Sequence, residues 1–296
     1  MEIIGKTIPK ETKEEMVLYY KSKPMSYQDV ADKFNYSLPT IGKIFREYRI
    51  KPYSKVQLFS PELQENYFED IDDEYKAYFL GLIITDGCIY KKWQRQSVVS
   101  ITLQDRDRYL IDEFVTKIKS NKAVTSDGRG CGSINILSDK MVSDLEKYGL
   151  SENKSLRTIF PKNIPDNMYP HFIRGLLDGD GSIGFYSRPK RKSHTKSIRF
   201  CQGNKQFIVD LMDYLESELN IKPVNITEEK SKGNLWSIAY HKNKDILKLT
   251  HFLYSDASIY MVRKKEILNK IVDEILYYHG NTEITDTVKI GQHCKA

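Results

Sequence analysis

Two stretches of this chain share one grammar, and that grammar narrows the possible folds more than any other feature. Glu74 to Tyr90 reads EYKAYFLGLIITDGCIY, and His171 to Tyr186 reads HFIRGLLDGDGSIGFY. Each begins as an apolar run carrying small residues four apart, Gly81 and Thr85 in the first copy and Gly175 and Gly179 in the second. Each run ends on an acid followed by glycine, Asp86-Gly87 and Asp180-Gly181, and then alternates like a strand. The apolar part predicts a helix, and Gly87 and Gly181 are expected to stop the two helices as left-handed caps. The acids lie 94 positions apart (180 − 86), so the chain reads as a duplication with that period.

The spacing also predicts how the copies meet. Residues four apart share a helix face, and small ones let two backbones approach closely. Packing Gly81/Thr85 against Gly175/Gly179 would make the helix ends converge, so that Asp86 and Asp180 share a site. A carboxylate at a helix C-terminus works against the macrodipole by roughly 0.3–1 kcal/mol, and a cation removes that conflict. Two carboxylates with backbone carbonyls form a hard oxygen set suited to Mg²⁺ or Mn²⁺. Two blander readings compete: buried helices whose acids merely sit at exposed ends, and a calcium loop beginning Asp178-Gly-Asp180-Gly-Ser182. The calcium loop fails at Ile183, where the turn needs glycine, and at Pro189, where the bidentate glutamate belongs.

FLGLIITDG at Phe79 to Gly87 and IRGLLDGDG at Ile173 to Gly181 resemble the paired motifs of the LAGLIDADG homing endonucleases. The resemblance implies that the last acid of each motif, Asp86 and Asp180, binds metal and is catalytic. Ile84 stands where an acid often does, at a position that is not the catalytic one. It also implies hydrolysis of one phosphodiester on each strand, with the acids beneath the minor groove. Family members often carry a lysine after the last helix of each half. Lys154 in GLSENKS and Lys264 in YMVRKKE occupy similar places, with Arg263 and Lys265 competing for the second role. The expected fold is α+β, a pseudo-symmetric pair of αββαββα halves forming a DNA-binding β saddle, plus a small N-terminal all-α helix-turn-helix domain.

Along the chain, Glu11–Ser22, Ser26–Asn35 and Leu38–Tyr48 read as short helices, with Ser26 capping the second and Asp29 three residues on. The last two, joined by Asn35-Tyr36-Ser37, resemble a helix-turn-helix, which would present Ser37, Thr40, Lys43 and Arg46 to DNA. An ordinary helical hairpin fits the same pattern. Lys51 to Ser60 reads as a linker. Residues 1–60 thus form a DNA-binding module and linker, 61–160 the first half, 161–279 the second, and 280–296 an aperiodic tail expected to be mobile.

Past each acid the period changes to two, with Val99, Ile101 and Leu103, then Ile134 and Ile136, facing a core. In the second copy Ile183, Phe185, Ile198 and Phe200 do so. Ribbon pieces are expected near Val224–Thr227 and Leu235–His241, then helix from about Lys244 through Ile271. The opposite faces carry Ser100, Thr102, Gln104, Ser133 and Asn135 in one half, and Tyr186, Arg188, Ser197, Arg199, Asn225 and Thr227 in the other, side chains able to read base edges in a major groove.

Charge agrees with a polyanionic partner. The chain holds 46 Lys and Arg against 40 Asp and Glu, a net +6. The distribution says more: Gly181 to Val209 carries seven basic residues (Arg188, Lys190, Arg191, Lys192, Lys196, Arg199, Lys205) and no acid, while Pro61 to Glu74 carries seven acids and no base. Lys190, Arg191 and Lys192 are expected to grip phosphates. The four cysteines, Cys88, Cys131, Cys201 and Cys294, show neither zinc spacing nor a disulfide framework. No signal core or membrane span is apparent. The expectation is an intracellular, soluble monomer with internal two-fold pseudo-symmetry, in a bacterial or phage-infected cytoplasm or an organelle. Its expected activity is metal-dependent double-strand cleavage of a long target in double-stranded DNA. The alternative is a LAGLIDADG-type DNA-binding regulator or RNA-splicing maturase that does not cut.

Overall fold

The structure, a computed structural model, describes residues 8–53, 58, 60–91, 96–152, 157–187, 194–229 and 235–279. It divides into two compact units, Met1–Gln64 with Ile118–Lys122, and Glu65–Lys117 with Ala123–Ala296. The tail 280–296, Lys154, Arg188, Lys190, Arg191 and Lys192 lie outside the described residues.

The first unit contains α1 (Lys10–Ser22), α2 (Tyr27–Phe34) and α3 (Leu38–Glu47). A capping box starts α2: the Ser26 hydroxyl accepts from Asp29 N, and the Asp29 carboxylate accepts from Ser26 N. At its end Asn35 turns left-handed, with φ 56°, and Tyr36 N closes onto Ala31 O. That turn redirects the chain into α3. The apolar stripes of the three helices meet in one cluster built from Met16, Tyr20, Val30, Ile41, Ile44 and Phe45.

In the second unit the first half runs α4 (Glu74–Asp86), β1 (Gly87–Tyr90), β2 (Val98–Gln104), α5 (Tyr109–Lys117), β3 (Thr125–Ser126), β4 (Cys131–Leu137) and α6 (Asp139–Lys147). The second half repeats the order as α7 (Tyr169–Asp178), β5 (Ser182–Tyr186), β6 (Thr195–Gln202), α8 (Lys205–Leu219), β7 (Thr227–Glu228), β8 (Trp236–Tyr240) and α9 (Asn243–Tyr254), and adds α10 (Val262–His279). The sheets have the same strand order, β1-β2-β4-β3 and β5-β6-β8-β7, and every pairing is antiparallel. Registers match as well. Cys88 pairs Ser100 where Ser182 pairs Arg199, and Thr125 pairs Ser133 where Thr227 pairs Ser237.

The pleat sorts the strands as their alternation predicts. Val99, Ile101, Leu103, Ile134 and Ile136 are buried, while Thr102, Gln104 and Asn135 are exposed on the other face. Helix α4 differs, being buried continuously from Ala77 to Thr85. A helix that is apolar all round needs partners on every side; α7 is one of them, and β1 and β2 lie against it too.

Three expectations are corrected. The helix expected from Lys244 to Ile271 is two helices, broken at residues 255–261. Tertiary partners claim backbone amides there: Ser258 N and Ile259 N donate to Glu74, and Met261 N to Asp178. The ribbon expected from Val224 shortens to Thr227–Glu228, leaving Asn225 outside any strand. Finally, Gly87 is extended (φ −93°, ψ 177°), and Gly181 is not among the positive-φ glycines, so neither is a left-handed cap. Glycine is required there by space. An added Cβ would come within 2.8 Å of Ile83 Cα at Gly87 and within 2.6 Å of Leu177 O at Gly181.

Candidate active site

Helices α4 and α7 cross through their small residues. A Cβ on Gly81 would lie 2.9 Å from Leu176 N, and one on Gly175 would lie 2.9 Å from Leu82 N. The two backbones therefore touch, as the spacing predicts. One turn on, Gly179 packs on the Thr85 side chain, and its missing Cβ would sit 3.2 Å from Asp86 Oδ2. Thr85 keeps its hydroxyl inside its own helix, donating to Gly81 O and Leu82 O at 3.1 and 3.0 Å. The half-buried Asp86 carboxylate, at the last position of α4, thus lies beside the residue that precedes the exposed Asp180.

The motif's other acid serves the framework. Asp178 is fully buried. It accepts hydrogen bonds from Tyr78 of the first half at 2.9 Å, from Met261 N at 2.7 Å and from Tyr254 at 3.4 Å. Burial pushes its pKa up to about 6, opposed by the Met261 amide, the Lys264 ammonium and the Tyr78 hydroxyl. Its counterpart 94 residues earlier, Ile84, is equally buried. The position is thus interior in both halves.

Lys264, expected from the sequence near the reacting groups, makes its contacts with backbone carbonyls. Its three N–H groups are shared among the carbonyls of Leu177, Asp178, Gly179 and Gly181, which lie 2.7, 2.6, 3.1 and 2.6 Å from Nζ. Those oxygens include the terminal carbonyls of α7, which a buried cation satisfies while opposing the dipole. Burial drives the Lys264 pKa down to about 8, and Asp178, Asp86 and Asp180 pull it back up. One ammonium therefore feels both motif acids and ties down the backbone on either side of Asp180. The competing residues are also engaged: Arg263 pairs with Asp107 at 2.9 Å, and Lys265 lies 4.3 Å from the Tyr254 ring centroid.

Two equivalent polar sheet faces continue from the acids. On the first, Cys88, Ser100 and Asn135 form one row, and Thr102, Ser133 and Thr125 the next. Thr102 and Ser133 share a hydrogen bond of 2.8 Å, and Tyr90 donates to Asn135 Oδ1 at 3.3 Å. Gln104 lies exposed at the end of β2. On the second, Ser182, Arg199 and Ala239 form a row, then Cys201, Ser237 and Thr227. Ser197 and the exposed Tyr186 share this face, and Asn225 is exposed just before β7. Lys196, counted with the basic cluster, points to the opposite face, where it is buried and pairs with Glu274 at 2.6 Å. In the first unit Ser37, Lys43 and Arg46 are exposed on α3 and its cap, and Thr40 is half-buried. Sequence reasoning missed Tyr90, Thr125, Ser237 and Glu229 on these faces; the 94-residue period locates Ser182 from Cys88, but the other partners require the strand register.

Among the described residues, no group of three or more His, Cys, Asp or Glu is arranged to hold a metal. The donor chemistry at the helix ends is two carboxylates amid backbone carbonyls, which fits a hard divalent ion completing its shell with water and substrate oxygens. Also among the described residues, no helix is long and apolar enough to cross a membrane.

A duplicated αββαββα unit whose motif helices touch backbone to backbone and carry one motif acid each to the same end, Asp86 closing α4 and Asp180 two residues past α7, defines a distinct class of α+β protein. Residues 168–254 match the model of the LAGLIDADG-like domain. Among solved structures, the LAGLIDADG meganuclease I-AabMI bound to uncleaved DNA is similar over 74% of this chain and 97% of its own, with 16% identity and a TM-score of 0.51. The LAGLIDADG homing endonuclease I-GzeII in complex with its DNA target is similar over 73% and 96%, with 18% identity and a TM-score of 0.52. The I-LtrWI LAGLIDADG homing endonuclease bound to target DNA gives 75% and 97%, with 13% identity and a TM-score of 0.50. No curated protein matches the chain in sequence. The fold is therefore that of the LAGLIDADG meganucleases, with a LAGLIDADG-like domain at residues 168–254.

Proposed function

We propose that this protein is a site-specific endonuclease that binds a long duplex DNA target and hydrolyses one phosphodiester on each strand with Mg²⁺ or Mn²⁺. The observation that carries the reading is the backbone contact of α4 and α7, which leaves the Asp86 carboxylate beside Gly179 and so next to Asp180. Asp86 and Asp180 are the residues that would hold the metal. When bound, a divalent ion polarises a phosphate and lowers the pKa of water. The protein's own part is positional. Gly81 and Gly175 fix the helix crossing, Thr85 fills the space against Gly179, and Lys264 locks the carbonyls around Asp180, so the acids meet substrate with little reorganisation. Lys264 acts through that backbone, as a positioning residue. Lys154 is proposed for a comparable place in the first half.

The polar faces holding Ser100, Thr102, Gln104, Ser133 and Asn135, and Tyr186, Ser197, Arg199 and Thr227 with Asn225 beside them, have the donors and acceptors to read base edges. Arg188, Lys190, Arg191 and Lys192 would add phosphate contacts. The N-terminal unit, with Ser37, Thr40, Lys43 and Arg46 on or beside α3, is proposed as a tethered second DNA reader. The DNA-bound state of the similar structures supports duplex DNA as the partner of the two sheet faces.

The test is selection of bound duplexes from a randomised library, then incubation of an enriched duplex with the protein in Mg²⁺ or in EDTA. Two-strand cleavage in Mg²⁺ alone is expected, with a footprint that shortens at one flank when residues 1–55 are removed. Tight binding without cleavage under any divalent metal would support the non-cleaving regulator instead, and absence of any enriched duplex would reject both.

A further inference from the structure

The two polar faces are equivalent in register and unequal in chemistry. In the row nearest the acids, the first half has Ser100 and Asn135 where the second has Arg199 and Ala239. Arg199 pairs with Ser182, two residues beyond Asp180. Its Nη2 donates to Glu229 Oε1 at 2.7 Å and to Ser237 Oγ at 2.9 Å. Both ionic partners remain partly accessible, at 30% and 26% of their side-chain surface. Among the described residues, the first half shows no such pair. Asp127, 102 residues before Glu229 (229 − 127), occupies the equivalent place two residues past its strand pair and instead accepts the Arg129 and Cys131 amides of its own turn.

The carboxylate decides what this arginine can do. A guanidinium is a planar fork of donors, able to meet two acceptors at once. Phosphate offers such acceptors with a negative charge, but Glu229 already neutralises Arg199 and would repel that charge at close range. A guanine edge in the major groove offers the O6 and N7 acceptors without net charge. Glu229 fixes the plane of the fork, and Ser237 is a neutral partner that can exchange, releasing the Nη1–Nη2 edge to the base. We propose that Arg199, held by Glu229, reads a guanine close to the cleavage centre in the half-site facing the second sheet. Ser100 makes no equivalent contact in the other half-site, so the target is asymmetric at this position. This inference rests on the DNA-binding reading.

The test is the same library selection carried out with the wild-type protein, Arg199→Lys and Glu229→Gln, each checked by circular dichroism. The wild type is expected to prefer guanine by about tenfold or more at one position of one half-site, with no counterpart at the mirrored position. Arg199→Lys keeps the charge and loses the fork, so that preference should vanish while the rest of the consensus stays. Glu229→Gln should strengthen binding to all duplexes, steepen its salt dependence and weaken the guanine preference. An unchanged preference in Arg199→Lys, or loss of affinity spread evenly over all sequences, would overturn the assignment while leaving DNA binding intact. A wild type that enriches no consensus would overturn the DNA-binding reading, and this inference with it.

Discussion

Glu74 shows how one side chain can join the halves at the end of the helix pair remote from the acids. Its carboxylate lies in the first turn of α4 and accepts from Arg174 Nη2 at 2.5 Å, Ser258 N at 2.7 Å and Ile259 N at 3.2 Å. Arg174 is completely buried and also donates from Nε to Ile259 O and from Nη1 to Leu253 O. Burial pushes the Glu74 pKa up, but the Ser258 hydroxyl and amide, Arg174 and the Ile259 amide outweigh it and hold the group below its usual value. A depressed carboxylate stabilises the fold above its unfolded value, 4.5, and loses that contribution as pH falls through the lower folded value. Glu74→Gln should therefore cost about 3 kcal/mol at neutral pH, because it strands a buried guanidinium. The gap from wild type should narrow in acid, as urea unfolding at a series of pH values would reveal; a gap independent of pH would rule out the charge as its source. None of this is legible from the sequence, where Arg174 is one letter inside a motif and Ser258 lies 184 residues from Glu74. Asp86 and Asp180 are legible because their motif is local and repeated. Lys264 is legible as a basic residue in the right place, but its four carbonyl partners come together only when α10 meets the end of α7.

At the scale of elements, the α4–α7 crossing sets the geometry of everything downstream. Gly175→Ala would press a methyl group onto the backbone of the opposite helix, 2.9 Å from Leu82 N. Because backbone cannot step aside as a side chain can, the cost should reach about 3 kcal/mol, a fall in melting temperature of roughly 6–12 °C for a unit of this size. Gly42→Ala is the control, since nothing lies within 4 Å of a Cβ there and alanine favours a helix interior by about 0.5–1 kcal/mol over glycine. Equal melting behaviour of the two variants would contradict the close crossing. The crossing is readable from small residues four apart because that spacing is a property of a single helix. The strand faces are readable for the same reason, from period two alone. The break between α9 and α10 is not, because apolar residues continue across it and the distant Glu74 and Asp178 carboxylates take its amides. Gly87 and Gly181 are legible as the points where the helices stop, but space, not a left-handed φ, requires glycine there.

At the scale of the molecule, duplication supplies two sheets of equal order and register, and divergence makes their polar faces chemically different. Ser100 has become the counterpart of Arg199, Ile84 of Asp178, and α10 has no equivalent among the described residues of the first half. What divergence has kept in both halves is the small-residue crossing and the terminal acid. The proposed activity therefore requires Asp86 and Asp180 to act together on DNA held by the two faces. The direct measurement compares wild type, Asp86→Asn and Asp180→Asn on one selected duplex, recording binding and Mg²⁺-dependent cleavage of each strand. The expected result is affinity within about threefold of wild type, a change of under 1 kcal/mol, with cleavage reduced by about a hundredfold or more in both variants, the scale on which loss of a transition-state contact is felt. Cleavage at the wild-type rate in both variants, with metal dependence intact, would contradict the account and move the active site elsewhere in the chain.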